Sequence, residues 1–508
     1  MSDWTSGYVA DIAYTFGYYA ELNPLRIKLA FLHAGLACPE MANACELGFG
    51  QGMSANLHAA ASVTQWHGTD FNPSQAGFAQ ELASISGTGA KLFDEAFTDF
   101  AARSDLPEFD YIGLHGIWSW ISDENRAVIV EFIRRKLKVG GVLYISYNTQ
   151  PGWASFAPMR HLMTEHAEII GAEGNGIVSR INGALEFTEK LLETQPLYAR
   201  VNTQIGERIK KVKEQNRHYL AHEYFNRDWL PMHFATMTKW LESAKLSYAC
   251  SAHYLDHIDA INLSSEQQQF LNDIPDAGFK ETTRDFIVNQ QFRRDYWVRG
   301  PRKLSDLAQA EQLRQLRILL IQPRHDISLK VNGSLGEATM QDHIYAPILD
   351  AMSDHQIISL GQLEQATQLS LAQILQAAIV LIGSSNAALV QDDAQIAKAK
   401  KACEKLNNYL CNQARGSSDI SYLASPVSGG GVAVGRFQQL FLLARSQGKK
   451  HPAEMAQFAW QILAMQNQKL VKQGITIENT EDNIAELTQQ AQLFCDKQIG
   501  ILKALGIV

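Results

Sequence analysis

The first 300 residues predict an α/β sheet with helices on both faces, and three observations carry that prediction. Short apolar runs alternate with amphipathic stretches through residues 1–150. A glycine-rich turn at residues 48–52 follows one such run and opens a helical stretch. Within residues 217–300, one more helix and two more strands are the pieces needed to bring the sheet to seven strands.

Each element has a local cause. NPLRIKLAFLHAGL sets Leu25, Leu29 and Leu32 on one side of a helix. NACELG is a strand, SANLHAAASV a helix, QWHGTD a strand and AGFAQELASIS a helix. AKLFD and FDYIGL are strands, RAVIVEFIRRKL a helix and GVLYISY a strong strand. Strands joined by helices need crossovers, so the sheet is parallel and covered on both faces. Ligands of such sheets sit at the carboxyl ends of the strands.

Beyond residue 150 the pattern changes. Residues 151–216 read as a helical insertion (FAPMRHLMTEHAEII, NGALEFTEKLLET, TQIGERIKKVKEQNRHYL). Residues 217–300 complete the sheet through the helix PMHFATMTKWLESA, the strand LSYACSAHY and a long strand DFIVNQQFRRDYWVR. In residues 301–400, LRILLIQ and ISLKVNG suit a hairpin. Three short helices and the strand AALVQDD follow, which suits a winged-helix-like module. Residues 401–508 are mainly helical, interrupted by SPVSGGGVAVG.

With 508 residues the chain is too long for one core. Hydrophobic residues at 46% and charged residues at 19% are ordinary for a globular protein. A net charge of −8 argues against a nucleic-acid partner, which would call for a basic face. The six cysteines show no CxxC spacing, so no metal site is expected. Scattered thiols and an amino terminus without a basic start or apolar run point to the cytoplasm. No apolar run reaches 18 residues, so no membrane insertion is expected.

The most informative segment is ELGFGQGMS, with the pattern acid-x-Gly-x-Gly-x-Gly. Gly48 permits the tight turn, and Gly50 and Gly52 let the backbone approach a ligand. Dinucleotide sites use G-x-G-x-x-G and bring a pyrophosphate to the helix start. Here Glu46 leads the loop, and an acid there would repel a pyrophosphate. It suits an ammonium group, such as the methionine end of S-adenosylmethionine (SAM). Phe49 and Gln51 belong to the same loop. Asp70 ends the next strand, 18 residues after Gly52, where a carboxylate can accept both ribose hydroxyls. Phe71 suits the adenine face, and after the third strand Ala96 and Phe97 suit backbone contact and packing against adenine.

The acceptor end is expected at LHGIWSW and SYNTQPGW. His115 belongs with the cofactor residues. Trp118 and Trp120 could cage a cation by cation–π attraction, or serve as core packing. Tyr147 and Asn148 could hydrogen-bond an incoming amine, or close the turn before Pro151. Tyr14, Phe16, Tyr18 and Tyr19 could cover the methionyl end, although such a stripe is more often ordinary packing.

Taken together, ELGFGQG, HGTDFNPSQ, FDYIGLHGIWSW, GGVLYISYNTQPGW, YLAHEYFNRDWLPMHF, RDFIVNQQFRRDYWVR and YLASPVSGGGVAVGRFQQLFL resemble one bacterial family. Its members are class I SAM-dependent methyltransferases with a methyltransferase regulatory domain, among them rickettsial protein lysine methyltransferases. The resemblance implies a Rossmann-like seven-stranded sheet with a helical insertion for dimerisation and a winged-helix-like carboxyl-terminal region. It implies a homodimer that moves methyl groups from SAM to a lysine amine of a protein. Glu46, Gly48, Gly50 and Asp70 carry over as cofactor residues, and Trp118, Trp120, Tyr147 and Asn148 as acceptor-end candidates. His222 and Glu223 match too, though a His–Glu pair often only stabilises a junction. Ala96 departs from the family's common acid. Two other readings use the same residues: methylation of a small molecule or biosynthetic intermediate, and a non-catalytic SAM-sensing interaction protein.

Overall fold

A computed structural model of the protein describes residues 14–171 and 173–508. The reading of the amino terminus as free of a leader rests largely on residues 1–13, which lie outside the described residues.

Seven strands form one sheet: β1 (Asn43–Leu47), β2 (Gln65–Asp70), β3 (Lys91–Asp94), β4 (Phe109–Leu114), β5 (Leu137–Asn148), β6 (Leu246–Ser251) and β7 (Phe292–Arg299). Their order is β3-β2-β1-β4-β5-β7-β6. Strands β1 to β5 run parallel, and β7 is antiparallel to both β5 and β6. The path runs outward from β1 to β3, then returns to β4 beside β1. That reversal is the topological switch point, where the loops after β1 and β4 part and leave a crevice. The central strands are buried on both faces, which is why they read as continuous apolar runs.

Helices α1 (Pro24–His33), α2 (Met53–Ala61), α3 (Pro73–Ser86), α4 (Phe97–Ala102) and α5 (Asp123–Lys136) cover the sheet. Asn72 caps α3, accepting from Ser74 N at 3.0 Å, with Pro73 in its first turn. Every residue of α2 is buried. The cause is a second layer: Met53, Leu57, Ala60 and Ala61 share a core with Cys403, Leu406, Leu440 and Phe441 of the carboxyl-terminal helices. A helix packed on both sides is mostly apolar all round, as ANLHAAA is, and its Asn56 donates its side-chain amide to Gly52 O and Ala79 O.

The insertion has its own core, built on Trp153, Phe156, Met163, Ile181, Leu185 and Ile209. Leu220, Ala221 and Tyr224 join it, so the helical packing continues past residue 216. The long strand expected over DFIVNQQFRRDYWVR starts only at Phe292, because Asp285–Ile287 end a helix, Ala277–Ile287. Asp276 caps that helix, accepting from Phe279 N at 2.7 Å. The hairpin expected between LRILLIQ and ISLKVNG does not form. Arg317–Leu320 is instead the central strand of a three-stranded sheet, flanked by Ile358–Ser359 and Ala387–Val390. Ile318, Leu319 and Leu320 are fully buried, and a non-alternating apolar run needs cover on both faces. Lys330–Gly333 turns back on Gly336–Thr339 instead. Beside this sheet, helices Leu360–Thr367 and Leu371–Gly383 are bent by 120°. Among the described residues, no single helix is long and apolar enough to cross a membrane.

The glycine run after Ser428 has a packing cause. A Cβ at Gly430 would lie 2.4 Å from Tyr18 Oη and 2.8 Å from Asn23 Nδ2. A Cβ at Gly431 would lie 2.9 Å from the Tyr18 ring. Asn23 Nδ2 donates to Ser428 O at 3.0 Å. The carboxyl-terminal hairpin (Tyr422–Ser425 with Gly430–Ala433) therefore presses its bare backbone onto the amino-terminal segment. Gly430→Ala is expected to cost about 1–3 kcal/mol through overpacking and to lower the melting temperature. Gly77→Ala, in α3 with nothing within 4 Å of the new methyl, is expected to hold or raise it. Equal effects in thermal melts of the two variants would contradict this packing account.

Candidate active site

The crevice at the switch point is a cleft of about 1260 Å³, counting its open mouth. Its cofactor-side wall comes from the sheet. Gly48, Gly50 and Gly52 all hold positive φ, at 71°, 58° and 69°. A side chain at Gly48 would strike Ile117 at 2.4 Å, so that glycine lets the β4 loop close on the β1 turn. At Gly50 a methyl would meet nothing nearer than Tyr14 at 3.7 Å, so the loop backbone there stays open to the cleft.

Glu46 lines the cleft at the end of β1 and is 2% exposed. Its Oε2 is buried with no partner among the described residues. Burial, and then the nearby Asp70 carboxylate, pushes its pKa up to about 8. Asp70 ends β2. Its Oδ2 accepts from Gly50 N at 2.9 Å and its Oδ1 from Asn72 N at 3.0 Å. Burial raises its pKa to about 7 against the pull of those two amides. The two bonds fix the carboxylate's direction and leave further lone pairs for hydroxyl donors.

Phe49, Gln51, Phe71, Ala96 and Phe97 also line the cleft. Ala96 is the N-cap of α4. Beside it lies Glu95, one place before the position the sequence register favours, with Arg103 Nη1 at 2.6 Å from Oε1. The acid at this end is thus present but displaced by one residue and already engaged. His115 lines the floor. Its ring stacks on Tyr19 with centroids 3.6 Å apart, and Nδ1 lies 2.7 Å from Tyr144 Oη. Burial lowers its pKa to about 4, so the ring is neutral.

The far wall comes from three places distant in sequence. Trp120 lines it, and its Nε1 donates to the Glu223 carbonyl at 3.1 Å. Glu223 lies on the helix Arg217–Tyr224 and accepts from Tyr14 Oη at 3.1 Å. Burial raises its carboxyl to about 7. Of the expected aromatic stripe, Tyr14 and Tyr19 face the cleft. Phe16 and Tyr18 pack instead against the carboxyl-terminal core.

Four expectations need correction. Trp118 is fully buried on the opposite side of the sheet, its Nε1 donating to Met232 Sδ at 3.3 Å. Tyr147 is fully buried on that same side and donates to Asp295 Oδ2 at 2.9 Å. The alternation along β5 explains this, because Leu143, Ile145 and Tyr147 share a core with Trp118 while Tyr144 faces His115. Asn148 does not line the cleft. Its Oδ1 accepts from Trp153 Nε1 at 3.0 Å, which ties β5 to the insertion. Gly52 does not line it either. A Cβ there would sit 2.4 Å from Ala79 Cβ, so its bareness serves the contact of α2 with α3. Gln75, Ile117, Asn125, His222, Glu223 and Asp228 also line the cleft. Only the HEYF match gave a sequence signal, for His222 and Glu223.

Comparison with known proteins places this geometry. The domain described as a predicted methyltransferase regulatory domain matches residues 216–299. Those residues hold Glu223 and the two strands that complete the sheet. The Synechocystis sp. protein sll1526 is 40% identical over 512 aligned positions, which cover 99% of each chain. A Rickettsia prowazekii protein, RP789, is 27% identical and covers 61% of this chain and 56% of its own. Two structures of PKMT2 from Rickettsia typhi, one in complex with AdoHcy, superpose with TM-scores of 0.69 and 0.70. They cover 96% and 97% of this chain and 99% and 100% of their own, at 18% and 17% identity. That likeness shows a shared fold along nearly the whole chain. The chain therefore belongs to the bacterial family of sll1526, proteins of class I methyltransferase fold that carry a methyltransferase regulatory domain.

Proposed function

We propose that the protein is a SAM-dependent methyltransferase whose acceptor is a lysine amine of a protein. The observation that carries the cofactor assignment is the buried, unpartnered Glu46 oxygen beside an Asp70 carboxylate pinned by two backbone amides. Glu46 would hold the ammonium of the methionine end, and Asp70 the two ribose hydroxyls. Phe71, Ala96 and Phe97 would pack on adenine, and the open backbone at Gly50 would admit the ligand. When bound, this cofactor supplies a sulfonium methyl whose bond to sulfur is exchanged for one to the acceptor nitrogen, leaving a neutral thioether. The protein's own part is to position the acceptor and exclude water.

The lysine assignment draws on the match to PKMT2 along the whole chain and on the aromatic far wall of Tyr14, Tyr19 and Trp120. Such faces hold an alkylammonium well. A small-molecule acceptor is the second reading, favoured by the way residues 14–19 close over the cleft. The same proposal takes the working form as a homodimer joined through the insertion. Ile169, Ile170, Leu197 and Val201 are more than half exposed there, which supports it. It takes residues 301–400 as a winged-helix-like module for protein contact, supported by the 120° helix pair beside a small sheet. It takes the cytoplasm as the workplace, in keeping with six free cysteines.

The cofactor assignment is tested by calorimetry with SAM and S-adenosylhomocysteine, with NAD as the control. Binding an ammonium requires ionised Glu46, and holding both ribose hydroxyls requires ionised Asp70, so affinity should rise from pH 6 to 8, with roughly one to one and a half protons released per ligand at pH 7. Heat from NAD and none from either nucleoside would refute it. Glu46→Gln should weaken binding about 10–100-fold, the loss of one charge-assisted bond. The same substitution should stabilise the ligand-free protein. A carboxyl raised from 4.5 to about 8 penalises folding increasingly as pH climbs between those values. The melting temperature should therefore gain nothing near pH 4, and most above pH 8. A destabilised variant at pH 8.5 would contradict the placement of Glu46.

A further inference from the structure

Five carboxylates line the cleft: the cofactor reading occupies Glu46 and Asp70, Arg103 holds Glu95, and Glu223 and Asp228 are left. Glu46 and Asp70 stand at the ends of β1 and β2. Glu223 stands on the opposite wall, brought there by a helix that closes the insertion. No cation pairs with it among the described residues. Its hydrogen-bond donor is the neutral Tyr14 hydroxyl, on Oε1. Its backbone carbonyl accepts from the Trp120 indole at 3.1 Å, which ties its helix to an aromatic face of the β4 loop. A carboxylate set among aromatic faces, across the cleft from Glu46 and Asp70, is the chemistry that grips an alkylammonium and relieves it of a proton.

Resting on the methyltransferase reading above, we infer that Glu223 is the acceptor-side catalytic residue, which binds the lysine ammonium and takes its proton. One N–H bond of the ammonium breaks, the proton passes to the Glu223 carboxylate, and the electron pair stays on nitrogen as the nucleophile. The protonated carboxyl later returns its proton to solvent. Tyr14 orients the carboxylate by holding one oxygen, and Trp120 sets its position. A base raised to about 7 by burial suits this work at neutral pH. The titratable groups facing it are Tyr14 and Tyr19, Glu46 across the cleft, Asp228 on the rim, and Tyr219, His222 and Tyr224 of its own helix.

The test uses full-length protein and n-butylamine as the lysine-tail probe. With S-adenosylhomocysteine bound, n-butylamine should shift one ¹³C-labelled glutamate carboxyl resonance, a resonance missing from Glu223→Gln. Transfer from labelled SAM to n-butylamine and to poly-L-lysine should fall about 100-fold or more in Glu223→Gln. Affinity for S-adenosylhomocysteine should stay within about threefold, which also reports that the variant folds. Glu223→Asp should recover part of the rate. At SAM concentrations that saturate across the pH range, the wild-type rate should climb through about pH 7, and the Gln variant should lack that limb. Transfer by Glu223→Gln at wild-type rate would overturn the inference. So would a parallel loss of S-adenosylhomocysteine binding, or wild-type protein that binds this nucleoside and ignores n-butylamine. Wild-type protein that binds neither SAM nor S-adenosylhomocysteine would instead fail at the cofactor reading itself.

Discussion

Burying a carboxylate without a donor is among the more expensive things a folded chain can do, worth several kcal/mol unless the charge is neutralised or matched. Glu46 sits in that position, at the end of a central strand and at the switch point of the sheet. Two outcomes relieve it. In the free protein the group holds its proton, which is why its pKa climbs to about 8. On the proposed function, a ligand ammonium would do the same work and send the proton to solvent. The site is thus built at the expense of the free protein's stability, a common trade at functional positions. Asp70 is the complementary case. It is also raised, but two amides aim it, so it offers direction rather than unmatched charge.

The rest of the chain is arranged to keep that cleft closed on one side. Tyr18 sits under the bare backbone of Gly430 and Gly431, and the next residue, Tyr19, stacks on His115 within the cleft. The amino-terminal segment is therefore clamped between a carboxyl-terminal hairpin and the cleft. Helix α2, which starts at the glycine turn, packs on the same carboxyl-terminal core. Gln391 Nε2 donates to Ala61 O at 2.6 Å, tying the end of α2 to the strand Ala387–Val390. The distant domains act on the site through these contacts, by fixing the wall that Tyr14 and Tyr19 provide.

Local backbone demands were legible in the sequence. A positive-φ glycine turn after a strand and an acid at the next strand end are dictated by near neighbours, so the position of Glu46, Gly48, Gly50 and Asp70 at the strand ends could be read directly. Side-chain direction at strand ends could not. Trp118 and Trp120 lie two residues apart in one short turn, yet one enters the core and the other the cleft. Tyr147 was misplaced because the face it takes depends on the pairing of β5 with β7. In the sequence the Gly430 and Gly431 run only interrupts the helices, and the tertiary approach of Tyr18 gives it a cause. Glu223 was the hardest case, because a helix more than a hundred residues downstream of the β4 loop delivers it. Its chemistry shows only once the insertion folds back.

Following the Glu46 carboxyl itself by ¹³C NMR, assigned by its absence in Glu46→Gln, is the most direct measurement. The account predicts titration near pH 8 in the free protein, and a fall into or below the ordinary carboxyl range when S-adenosylhomocysteine binds. A midpoint near 4.5 in the free protein, or one that does not move on adding the ligand, would contradict it.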